Sequence, residues 1–181
     1  METERLGKHA YAGIALLAGS AALAGCERLG LGGDAAATLP TEEEARAVYS
    51  EHPRLRDVRL NGNVVELTFD ADRRNLRRGG SLWARAGLFV QLLSPATRDL
   101  LATYDGIAAV RAISVVSGVE IGRATLLRDE LSDVLWRRTL NLLGHALREG
   151  TARPSRLEDL AEWGEEHTEY RYNPEYVPPP G

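Results

Sequence analysis

Four arginines crowd one short stretch, Arg73, Arg74, Arg77 and Arg78, and Gly79 and Gly80 follow them. Guanidinium forks take carboxylate or phosphate oxygens two at a time. With a helix expected to start at Ser81, whose first N–H groups also favour negative charge, the stretch suits a phosphate or another anionic group. The competing reading is a solvated loop whose charges pair with Glu158, Asp159, Glu162, Glu165 and Glu166. Other chemistry is sparse. His9, His52, His145 and His167 fall in no H-E-x-x-H or other metal-ligand spacing, and Glu165-Glu166-His167 reads as a solvated helix end. Asp70 and Asp72 close a strand and resemble a carboxylate pair for acid–base work, although Asp is frequent in turns for structural reasons. There is no G-x-S-x-G and no G-x-x-x-x-G-K-[ST]. No catalytic set, metal or cofactor is therefore expected.

The single cysteine, Cys26, closes an apolar run. Arg5 and Lys8 precede residues 10–25, which are almost wholly small or apolar. That layout is a charged region, an apolar region and small residues at a cleavage point, too short and too rich in Ala and Gly for a spanning helix. Leu23-Ala24-Gly25-Cys26 resembles the lipobox of bacterial lipoproteins at all four positions. The resemblance implies cleavage before Cys26, diacylglycerol on its sulfur and a protein exported to the cell envelope, held in the membrane by that lipid. Glu27 in place of Asp leans toward the outer membrane or cell surface. Ala22-Leu23-Ala24 also offers an ordinary signal-cleavage site, whose product would be soluble and begin Gly25-Cys26.

Cleavage at Cys26 would leave a chain long enough for one domain with its own core. One cysteine forbids any intramolecular disulfide, so packing alone must hold that domain in an oxidising compartment. The formal net charge of −4 gives no general argument for binding nucleic acid, and none is expected as a partner.

Residues 1–25 thus read as a lipoprotein signal peptide, 26–40 as anchor and flexible tether, 41–167 as one domain, and 168–181 as a Tyr/Pro-rich tail. Within the domain, Thr41 would cap a helix to about Glu51, with Glu42, Glu43 and Glu44 in its first turn. Asn61-Gly62 suits a two-residue hairpin turn over about 55–70, pairing Leu60 with Asn63 and Val58 with Val65. Residues 71–80 read as a loop. Helices are expected from Ser81 and, after a break at Ser94-Pro95, from Pro95 to about Tyr104. A second hairpin over about 108–128 would turn at Ser117-Gly118, with Val116 opposite Val119 and a possible bulge. Asp129 would cap a helix of 130–149 with Trp136, Leu140, Leu143 and Leu147 in one stripe, and an acidic helix of 156–167 would follow. The order α-ββ-α(α)-ββ-α-α implies an α+β domain: an antiparallel sheet of two β-hairpins with helices packed on it.

Three function classes fit. The leading one is a non-enzymatic envelope lipoprotein whose tethered domain binds an envelope protein or component. The second rests on residues 41–116, whose order α-β-β-α-β and Asn61-Gly62-Asn63-Val64-Val65-Glu66-Leu67 resemble BON domains of bacterial envelopes. That resemblance implies a phospholipid- or polyanion-binding module, although the second glycine usual in their strand is missing and the helical segment is longer. The third is an envelope hydrolase with a site assembled from dispersed residues.

Overall fold

A computed structural model describes residues 37–179 of the chain. Cys26, the expected signal peptide and most of the expected tether lie outside the described residues. The elements run α1 (Glu42–Val48), β1 (Leu55–Asn61), β2 (Val64–Asp70), α2 (Arg73–Leu92), α3 (Pro95–Thr103), β3 (Ala109–Val116), β4 (Val119–Leu127), α4 (Asp133–Glu149), α5 (Ser155–Glu166) and β5 (Glu169–Tyr172). The domain is α+β, with two hairpins and helices packed on a sheet.

The strand order is β1-β2-β3-β4-β5. Both hairpins are antiparallel, but they do not join antiparallel: β2 and β3 run parallel, from Val64 beside Ala109 to Asp70 beside Val115. The reason is the length of the connection. Helices α2 and α3 carry the chain back to the edge where β2 began, as a parallel crossover requires. One face of the sheet is apolar, with Val65, Leu67, Phe69, Val110, Ala112, Ala124 and Leu126 all buried. Helix α2 lies over β3 and β4, α5 packs on α2, and α4 on α5. Alternate residues on the other sheet face form a charged ladder in which Arg111 meets Glu66 at 3.5 Å.

Local signals placed several boundaries well. Thr41 and Glu44 form a capping box, and Ser94 caps α3 with Pro95 at its start. The second hairpin turns at Ser117 (φ 54°) and Gly118 (φ 84°), with a bulge after Ser114. The first hairpin is slipped from the expected register. Asn61 pairs with Val64 and Val58 with Leu67, so the loop is Gly62-Asn63. Only Gly62 takes a positive φ, 63°, as a type II′ turn asks of its first loop residue. The slip spans two residues and keeps the same side chains on the buried face.

Four further boundaries moved. Residues 71–80 are not a loop, because Asp72 caps α2 and the helix begins at Arg73. Ser132, not Asp129, caps α4, and Leu147 on the expected apolar stripe is 62% exposed while Thr139 is fully buried. The end of the expected tether is already pinned: Thr38 N donates to Asp105 Oδ1 at 2.6 Å and Gly106 N to Thr38 O at 2.9 Å. The expected tail supplies β5, which pairs Tyr172 with Gly122 and Glu169 with Thr125 on β4. Arg128 holds this end of the fold: its guanidinium donates to the carbonyls of Leu101, Tyr104 and Ile107, satisfying the end of α3.

Candidate functional site

Helix α2 positions the arginines. Asp72 Oδ1 accepts from the N–H of Arg74 (2.8 Å) and of Asn75 (3.2 Å), and its Oδ2 accepts from Arg54 Nη2 at 2.5 Å. Burial pushes the Asp72 carboxyl up, but the N–H groups of Asn75 and Arg74 and the Arg54 guanidinium outweigh it and hold it below the usual range. The N-terminal N–H groups are thus spent on the chain's own carboxylate. An anion here would meet the guanidiniums instead.

Arg73, Arg74, Arg77 and Arg78 are all exposed, on the first two turns of α2. Arg73 Nη2 donates to Ser117 Oγ at 2.8 Å, which ties the patch to the β3–β4 turn. Gly80 then breaks the helical geometry (φ 52°, ψ −130°), so these two turns are set off from the rest of α2. None of the four arginines lies within ion-pair distance of a carboxylate among the described residues. The neutralised loop anticipated as the alternative is not formed.

The acidic helix goes elsewhere. Glu165 on α5 takes Arg85 in a two-pronged pair, Nε to Oε1 at 2.7 Å and Nη2 to Oε2 at 2.8 Å, and Tyr172 O–H adds a third bond to Oε1 at 2.8 Å. Burial and the neighbouring Glu165 carboxylate both push the Tyr172 phenol up, so it stays a donor, and the Glu165 carboxylate pushes Arg85 up. The C-terminal segment lies along α2 from this cluster toward the arginines. It borders a hollow of 620 Å³ with Arg85 and Glu165, and a second of 450 Å³ where Glu175 and Tyr176 face Arg73, Arg77 and Ser117. The tail therefore borders both the Arg85–Glu165 pair and the arginine face, while the Glu165 carboxylate itself is used by Arg85. Replacing Glu165 with Gln should destabilise the domain by about 2 kcal/mol, the scale of a charge-assisted hydrogen-bond set. In urea unfolding, Arg85→Gln with Glu165→Gln should cost less than the two single changes added together; strict additivity would deny the coupling.

The other sequence candidates are dispersed. Asp70 sits 3.8 Å from Arg56 and Asp72 pairs with Arg54, so each carboxylate has its own arginine. His145 lies 3.6 Å from Glu149, and His167 lies 3.1 Å from Glu130 with its ring on Trp163. Among the described residues no three His, Cys, Asp or Glu side chains gather as metal ligands. Sequence reasoning missed Arg85 and Tyr172, whose pairing depends on α2, α5 and β5 meeting. The alternation Tyr170-Arg171-Tyr172 was the available signal for β5. Comparison with family models, curated proteins and solved structures finds no match.

Proposed function

We propose that this protein is a lipid-anchored module of the cell envelope whose domain binds anionic groups, phospholipid headgroups foremost, through the arginine face of α2, without catalysis. The observation that carries the reading is four exposed arginines with no carboxylate partner among the described residues. Local energetics oppose that arrangement. Arg73 with Arg77, and Arg74 with Arg78, are like-charge pairs four residues apart, each costing about 0.2–0.5 kcal/mol. They also sit at the helix end that disfavours cations. A patch kept against both effects suits a ligand that supplies the missing charge. The order α-β-β-α-α-β of residues 42–116 supports the likeness to BON domains, with one helix more.

Anchor and headgroup contact would work together, since one weak membrane signal is stabilised by a second. Two experiments test the parts. In detergent phase partitioning, wild type should enter the detergent phase and Cys26→Ser should not; equal partitioning removes the anchor. In co-sedimentation, the full-length Cys26→Ser chain should bind phosphatidylglycerol vesicles more tightly than phosphatidylcholine vesicles. Replacing Arg73, Arg74, Arg77 and Arg78 together with Gln should erase that difference, and a persisting difference would sink the headgroup reading.

A further inference from the structure

The sheet has an edge at β1 and another at β5, and the two are finished differently. On β1 the outward N–H groups are taken by carboxylates: Leu60 N donates to Glu42 Oε1 at 3.0 Å, and Val58 N to Asp57 Oδ1 at 3.0 Å. Edges are commonly guarded in some such way, because unpaired N–H and C=O groups invite another strand. The β5 edge has no such guard. Asn173 N donates to Ile121 O on β4 at 3.0 Å. By alternation Arg171 and Glu169 turn their backbone groups to β4, while Tyr170 and Tyr172 turn theirs outward. Neither outward N–H is taken by a side chain or a loop carbonyl among the described residues. The side chains of β5 are unfinished too. Glu169 and Arg171 lie on the charged face of the sheet, both exposed, and neither has an ion-pair partner among the described residues. Arg171 stands beside Arg123, an unfavourable like-charge pair across strands, and the Glu120 carboxylate is already held by Arg123. Tyr170 sits on the opposite face and is 45% exposed.

We propose that β5 pairs antiparallel with β5 of a second copy of this chain, about a two-fold axis at Tyr170. In that register Glu169-Tyr170-Arg171 is its own complement. Glu169 meets Arg171 of the second copy, and Arg171 meets its Glu169, as a two-fold interface requires. The outward N–H and C=O of Tyr170 bond those of Tyr170 of the second copy, and the two rings meet on the helix side. Registers centred on Glu169 or Arg171 set like charges face to face. The strand is only 4 residues long, so the interface is small and the dimer belongs to the weak, reversible class.

Charge reversal tests the register. In sedimentation equilibrium the full-length Cys26→Ser chain should dimerise reversibly, and its Tyr170 amide proton should exchange more slowly as concentration rises. Glu169→Arg alone, or Arg171→Glu alone, sets like charges across both symmetry-related contacts and should weaken the dimer about tenfold or more. Mixing the two single variants restores opposite charges and should recover a heterodimer within a few-fold of wild-type strength. Both positions are exposed on an edge strand; should either variant fail to fold, the wild-type Tyr170 exchange carries the test alone. A wild-type chain that stays monomeric up to about 1 mM, a range that covers weak association, would overturn the proposal. So would Tyr170 exchange indifferent to concentration, single variants that dimerise as tightly as wild type, or a mixture that recovers nothing.

Discussion

Gly164→Ala is expected to destabilise the domain by about 2 kcal/mol, where alanine in a helix interior ordinarily stabilises by about 1 kcal/mol relative to glycine. The reversal comes from one contact. A Cβ at position 164 would lie 2.3 Å from Phe89 Cγ and 2.3 Å from Cδ1, against an ordinary carbon–carbon separation of about 3.5–4.0 Å. Phe89 has no exposed surface, and it sits on α2 facing α5 within the main core. Its ring cannot swing into solvent, so the helices must part. Parting α2 from α5 also pulls Glu165, the next residue, away from Arg85. Thermal unfolding should show the loss as a melting point lower by several degrees. Phe89→Leu costs stability by leaving a void, but it makes room for the methyl, so the double variant should lose less than the sum. A melting point raised by Gly164→Ala would mean the helices do not approach this closely.

That contact shows where sequence reading stops. Gly164 on an acidic helix carries no sign of its packing partner, because the partner lies on α2, far along the chain. Signals contained within a few residues were legible: Thr41 with Glu44, Ser94 with Pro95, and the Ser117-Gly118 turn. The first hairpin slipped because Gly62 can stand second or first in a two-residue loop. The alternating pattern cannot separate registers that differ by two. Gly79-Gly80 looked like the end of a loop, and Gly80 does leave the helical region, but Asp72 had already nucleated a helix before it. The parallel pairing of β2 with β3 and the addition of β5 are non-local and leave no mark in either strand's own periodicity. The proposed site divides the same way. The four arginines are visible in composition. Their lack of carboxylate partners among the described residues is a tertiary fact, as is the use of Glu165 by Arg85 and Tyr172 and of Asp72 by the helix cap.

Removing those arginines should produce the largest functional change. Near an anionic surface each Lys or Arg contributes about 1 kcal/mol, so four would sum to about 4 kcal/mol, roughly a thousandfold in binding. Single Arg→Gln variants of 73, 74, 77 and 78 should each weaken binding to phosphatidylglycerol vesicles by about fivefold, and raising salt should flatten the differences as the Debye length shrinks toward about 3 Å at 1 M. The chain's net charge of −4 sharpens the expectation, since the molecule as a whole is repelled by such a surface and only a local patch can reverse that. A matched control separates patch from net charge. Arg56 and Arg59 on β1 are also exposed, but they stand 3.8 Å from Asp70 and 2.9 Å from Asp57. With carboxylates beside them, Arg56→Gln and Arg59→Gln together should weaken binding by no more than a few-fold, although they remove two charges. If that pair costs as much as Arg73→Gln with Arg77→Gln, the vesicles are sensing net charge and the α2 face holds no special place.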